Sequence, residues 1–238
     1  MLMTPPPESV SRRERPAKPA LSRDGIVATA MAVLRAEGLE RVTMRRLAKE
    51  LDTGPMSLYV YVRDIQELHA AVLDELLAEV DLTPVAASGD WRDRLWTVLL
   101  SYIDVLAAQP ILAKLALVVR LSGPRYLALV DGVLGLLLAG GVEPARAAWA
   151  VDLLLQFATT TATEQGTRWA ESRTGADQEE LVQAVRTADA TRYPHIAAVR
   201  ESLLSGHGAR WRWGYDVLLS GTVAVPVPEQ NPLETTNE

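Results

Sequence analysis

The 238-residue chain contains no cysteine. Structural disulfides, thiolate nucleophiles and cysteine-bound zinc are excluded together. Histidine is almost as scarce: His69, His195 and His207 are the only three, and they form no HxH, HExxH or Ser/His/Asp arrangement. No glycine-rich phosphate loop is present. The acids of "DQEE" read as a solvated loop rather than a metal site, so the chain is expected not to be an enzyme and calls for no cofactor or metal. The N-terminal stretch "MLMTPPPESVSRRERPAKPALSR" lacks the apolar core of a signal peptide. The most apolar run, Tyr126 to Gly141, is interrupted by Asp131 and falls short of the ~20 residues a bilayer requires. It reads as a buried helix, and a cytoplasmic protein is expected. No strand pattern or internal repeat stands out.

What is present is a chain of 48% apolar residues, enough for a large helical core. Its net charge of −6 is unevenly spread. Between Ser11 and Arg63 eleven Lys and Arg face six Asp and Glu, a net +5, which leaves −11 on the remainder. A basic N-terminal region on an acidic body suits a DNA-reading head attached to a body that does not touch DNA. Chance clustering on a solvated face is the competing explanation.

From Ser22 to Gly38, apolar residues at Ile26, Val27, Ala30, Met31 and Leu34 follow one helical stripe, with Ser22 as cap and Gly38 as stop. Thr43 precedes "MRRLAKEL", "DTG" ends that helix, and Pro55 opens "PMSLYVYV", anchored by Leu58 and Val62. Three short helices with a tight turn between the second and third make a helix-turn-helix. Met56, Ser57, Tyr59 and Tyr61 are then left on the outer side, where hydroxyls and aromatic edges without acids suit a DNA groove. The alternative is that one tyrosine fills the core of the small bundle. Asp64 caps the next helix, with Glu67 at capping-box distance. Further helices are expected over Asp90–Gln109, from Pro110 through "ILAKLALVVRL", over Arg125–Ala139, from Pro144 to about Glu171, over Glu179–Ala188, in "YPHIAAVRESL" and in "ARWRWGYDVLLSGTVA". "SRTGADQEE" reads as a loop. The fold class is all-α: a disordered basic arm (1–21), a helix-turn-helix domain (22–68), a ligand-binding and dimerisation domain (69–224) and a polar tail expected to be mobile (225–238).

The segments "AMAVLRAEGLERVTMRRLAKEL" and "GPMSLYVYVRDIQEL" resemble the DNA-binding head of the tetracycline-repressor (TetR) family. The body, from "DWRDRLWTVLLSYIDVL" through "LLLAGGVEPARAAWAVDLLLQFATTT" to "WRWGYDVLLSGTVA", is similar to the family's tetracycline-repressor-like C-terminal class. The resemblance implies that Thr43 caps the second helix and contacts phosphate, with Arg45 reaching phosphate or a base edge. It implies base contacts from Pro55, Met56 and Ser57 and a phosphate contact from Tyr59. Tyr61 stands where many relatives carry Phe or His. Ile65 stands where the family has a phosphate-clamping Lys, a contact that Arg63 or the basic arm of Arg12, Arg13, Arg15 and Lys18 could take over.

For the body the resemblance implies a homodimer in which the long eighth helix and the last helix build a four-helix bundle across the twofold axis. Trp211, Tyr215, Leu218, Leu219 and Gly221 fit such a face, and intramolecular core is the competing reading. Trp149, Asp152, Leu153, Gln156 and Thr160 share one stripe of the long helix. With Trp96, Leu99, Tyr102, Ile103, Leu115 and Val119 they have the composition of a small-molecule site, although a solid core would use the same residue types. Asp81, Val98 and Ala116 stand where tetracycline repressors hold the drug and its magnesium. An apolar or aromatic effector is therefore expected instead. The reading is a repressor released from an inverted-repeat operator in double-stranded DNA by such an effector. A small-molecule carrier with a degenerate head is the alternative from another class.

Overall fold

Ser22 starts the first helix by accepting a 3.1 Å hydrogen bond from the Gly25 amide. The computed structural model describes residues 20–119, 121–171, 176–206 and 208–228, without the side chains of 168–171 and 176–178. The basic arm residues Arg12, Arg13, Arg15 and Lys18 and the tail beyond residue 228 lie outside the described residues. Eleven α-helices are described: α1 (Arg23–Glu37), α2 (Met44–Glu50), α3 (Pro55–Leu58), α4 (Ile65–Leu76), α5 (Trp91–Ala107), α6 (Pro110–Ala116), α7 (Pro124–Ala139), α8 (Pro144–Glu171), α9 (Ala176–Thr187), α10 (Pro194–Leu204) and α11 (Ala209–Ala224). No strand occurs among the described residues.

The chain divides into two compact units, Met1–Glu67 and Leu68–Glu238. In the first, α1 ends on Gly38 at φ +86°, a left-handed backbone that glycine adopts without a side-chain penalty. Ile26, Ala30, Leu34, Leu47, Leu58 and Val62 are buried there. Between α2 and α3 the only positive φ belongs to Asp52 (+48°), whereas Gly54 is extended at φ −82°. The turn is thus made by an acidic residue able to enter the left-handed region, and its glycine has another place in it. The third helix is shorter than its sequence pattern predicts. Regular structure ends at Leu58, and a turn held by Tyr61 and Val62 amides donating to the Leu58 carbonyl carries the chain on.

In the second unit α8 is the axis, packed by α5, α6, α7 and α11. Proline supplies the first helical position of α6, α7 and α8, where the missing N–H costs nothing. The Glu143 carboxylate closes the start of α8 by accepting from the Ala145 and Arg146 amides. Two expected helices are trimmed. α4 tightens into a 3₁₀ turn at Leu77–Glu79, and α6 stops at Ala116. α9 begins at Ala176, inside the segment expected to loop.

One junction went unannounced by the sequence. Asp74 of α4 is buried and accepts hydrogen bonds from the Tyr126 amide at 3.0 Å and the Arg125 amide at 3.4 Å. It caps α7 from a distant part of the chain, satisfying donors that the helix itself leaves open. Gly123, just before α7, makes room for it: a Cβ there would sit 2.1 Å from the Asp74 carboxyl carbon.

Candidate nucleic-acid interface and effector body

Thr43 sits at the start of α2 and accepts the Arg46 amide on its hydroxyl at 3.2 Å. Its side chain remains exposed. Arg45, one position into the helix, is exposed and has no ion-pair partner among the described residues. Its neighbour Arg46 behaves differently, bridging Glu37 of α1 at 2.6 Å and Glu50 of its own helix. The two carboxylates push the Arg46 guanidinium upward, and Arg46 in turn lowers the Glu37 carboxyl. Two adjacent arginines thus have separate tasks. One ties α2 to α1 and the other is free for a partner.

On α3 and its continuation, Leu58 and Val62 are buried while Pro55, Met56, Ser57, Tyr59 and Tyr61 are exposed, as their spacing predicts. Neither tyrosine fills the small core. Val60, absent from the sequence-based set, is 79% exposed, and Met56 is 77% exposed. The signal for Val60 was its position two residues from each anchoring residue, Leu58 and Val62. Arg63, expected as a substitute phosphate clamp, is engaged within its own unit. Its backbone amide and Nε both donate to Glu67, at 2.9 and 3.0 Å. That contact raises the Arg63 guanidinium and holds the Glu67 carboxyl below its ordinary range. The Glu67 amide in turn donates to Asp64 at 2.8 Å, closing the predicted cap at the entry to α4.

The body divides the expected ligand set between inward and outward positions. Leu99, Tyr102 and Ile103 of α5 are buried, and Trp96, Leu115 and Val119 are half-buried. Trp149, Asp152, Leu153, Gln156 and Thr160 instead point outward from α8, and Gln156 spends its amide on Asp152 at 2.7 Å. The inward stripe is Ala147, Ala150, Leu154, Ala158 and Ala162. Small residues turn inward because α5, α6 and α11 crowd α8; at Gly166, an added Cβ would lie 2.8 Å from the Ala107 carbonyl oxygen. Thr159 and Thr161 are the buried polar residues of α8 among the described side chains, and Thr159 lies one position before the residue chosen from sequence. Its hydroxyl donates to the Leu155 carbonyl, which leaves its lone pairs to accept from the Tyr102 hydroxyl at 2.8 Å. Burial pushes the Tyr102 phenol up to about 12. Gln165 adds a buried side-chain oxygen without a partner.

Of the expected dimerisation set, Tyr215 and Leu219 are fully buried in their own chain. Tyr215 lies 5.2 Å from the Trp96 ring and donates its hydroxyl to the Arg92 carbonyl at 2.7 Å. Arg212 stacks over Trp96 and Tyr215 and pairs with Asp93 at 2.8 Å. Trp96 is therefore part of a clamp between α5 and α11. Gly214 receives the Phe157 ring of α8, 3.0 Å from where a Cβ would stand. Trp211, Leu218 and Gly221 are half-buried, and Gly221 faces open space. Among the described side chains, the large exposed apolar residues of α11 are Trp213, Val217 and Val223, and those of α8 are Trp149 and Leu153.

Among the described residues no cluster of acids and histidines has the geometry of a metal site. No single helix there is long and apolar enough to cross a membrane.

Comparison with known proteins places these features. Residues 26–72 match the family profile of bacterial regulatory proteins, tetR family, and residues 83–225 match the tetracyclin repressor-like C-terminal domain. The HTH-type transcriptional repressor DrrR1 of Streptomyces coeruleorubidus is 28% identical over 216 residues, covering 88% of this chain and 80% of its own. A crystal structure of the transcription regulator SCO7704 from Streptomyces coelicor has 54% identity and a TM-score of 0.76, covering 90% of this chain and 100% of its own. ActR from Streptomyces coelicolor, solved in complex with actinorhodin, has 32% identity and a TM-score of 0.75, covering 87% of this chain and 97% of its own.

Proposed function

The chain belongs to the TetR family of bacterial regulatory proteins, and from that premise we propose that it is a homodimeric transcriptional repressor that binds an inverted-repeat operator and is released by a small apolar or aromatic effector. The observation that carries the reading is the outer surface of the helix-turn-helix. An uncharged segment with exposed Ser57, Tyr59 and Tyr61 stands in the same small unit as the unpaired Arg45 and a capping Thr43 whose side chain stays exposed. Hydroxyls and a free guanidinium suit phosphate and base edges, and no carboxylate from Thr53 to Val62 opposes them. Pro55, Met56 and Ser57 approach bases, and Tyr59 reaches phosphate.

Two copies join through the outward faces of α8 and α11. Trp149, Leu153, Trp213 and Val217 are large apolar side chains exposed on helices that pack against each other. Exposed patches of this kind mark interfaces. A twofold dimer presents two equal heads to two half-sites, which accounts for the inverted repeat. Its DNA partner places the protein in the cytoplasm.

The effector enters between α5, α6 and α8. Tyr102, Thr159 and Gln165 supply neutral polar contacts there among apolar neighbours. The complex of ActR with actinorhodin supports a small-molecule effector, and the likeness to the repressor DrrR1 supports repression. Release requires that the effector bind the operator-free form better, a coupling of about 1–3 kcal/mol that acts reciprocally on DNA and effector.

The test is titration of the purified protein against DNA flanking its own gene, with unrelated DNA of equal length as control. A preference of about 10³-fold or more with protection of an inverted repeat supports the reading. A carrier with a degenerate head would bind both DNAs equally. The variant Arg45→Ala with Tyr59→Phe is expected to lose operator affinity while its circular dichroism and effector binding stay unchanged.

A further inference from the structure

We infer that the operator half-site is read through thymine methyl groups, with Met56 and Val60 as the specificity-determining side chains. This rests on the DNA-binding reading above and adds to it the chemistry of the sequence recognised.

Base edges in the major groove differ by their donors, acceptors and the thymine methyl. Guanine is read in two-point fashion by Arg or Lys, adenine by Asn or Gln, and the cytosine amino group by Asp or Glu. From Thr53 to Val62 the chain has none of these six residue types. The surface that enters the groove therefore has hydroxyls, which accept or donate to any base, and apolar side chains. Two of the latter stand almost fully in solvent, Met56 at 77% and Val60 at 79%. They are four positions apart, and the buried anchors Leu58 and Val62 hold the opposite side against the unit's core. An apolar side chain in a groove gains free energy from only one base substituent, the C5 methyl of thymine. Arg45, exposed in the first turn of the neighbouring α2, is a cation able to reach a guanine or a phosphate. The half-site should accordingly present thymines to α3 and at most one guanine to Arg45.

The full-length protein is first used to select duplexes from a random library. The enriched operator is then remade with deoxyuridine in place of thymidine, one position at a time, which removes only the methyl and leaves pairing intact. Loss of about fourfold in affinity is expected for each methyl that meets Met56 or Val60. In Met56→Ala and in Val60→Ala a sensitive position should become indifferent, while thermal unfolding stays as in the parent because both side chains are exposed. The inference is overturned if a specific operator emerges whose affinity is unchanged by every uridine, or if the sensitive positions stay equally sensitive in both variants. If no sequence is enriched, the DNA-reading proposal itself fails, and the inference with it.

Discussion

The Tyr102 phenol is pushed up to about 12 by burial, against an ordinary value near 10. Its folded state therefore favours the protonated form. The stability it contributes is complete below pH ~10 and is lost as pH rises toward ~12, up to about 2–3 kcal/mol. Burial moves Tyr215 in the same direction. Tyr102→Phe should cost about 1 kcal/mol at neutral pH through the lost hydrogen bond to Thr159, and should flatten the alkaline decline. Urea midpoints of parent and variant between pH 8 and 11.5 check both statements. Asp74 makes a second residue-scale case. Gly123→Ala would drive a Cβ into its carboxylate, so about 2 kcal/mol or more should be lost in urea unfolding, with the far-UV spectrum of the folded protein unchanged. Nothing in the sequence marks that contact, because its partners lie about 50 positions apart and a helix end shows only the cap candidates beside it.

At the scale of elements, the helix-turn-helix makes a prediction from two of its glycines. Gly38 has φ +86°, so Gly38→Ala should cost about 1 kcal/mol. Gly54 has φ −82° and nothing nearer to an added Cβ than the Ser57 hydroxyl at 4.0 Å. Gly54→Ala should leave stability unchanged or raise it by a few tenths of a kcal/mol. Thermal unfolding of the two variants side by side is the measurement. Several helix ends were legible because their signals are local: Ser22, Thr43, Asp64 and the prolines opening α6 and α8 act where they stand. The faces of α8 and α11 were less legible. Both helices are apolar on two sides, and a stripe displaced by one position changes which side faces the core. Thr160 and Thr159 differ by about 100° around the axis, and only Thr159 meets Tyr102. On α11 the same ambiguity exchanged Tyr215, which fills the core, for Trp213, which does not.

At the scale of the molecule, the proposed dimer rests on the exposed faces of α8 and α11. Trp213→Glu or Leu153→Glu should yield a folded monomer, and the loss of mass by light scattering should accompany a loss of operator binding, since a single head spans only one half-site. The charge of the chain is divided along with its tasks, basic toward the N-terminus and acidic in the remainder. The uncharged reading segment described above has a consequence for how attraction and discrimination respond to ionic strength. Cations such as Arg45 displace condensed counterions whatever the DNA sequence, whereas Met56 and Val60 displace none. Raising the salt should weaken operator and random DNA in parallel, leaving the ratio of the two affinities nearly constant while both constants fall.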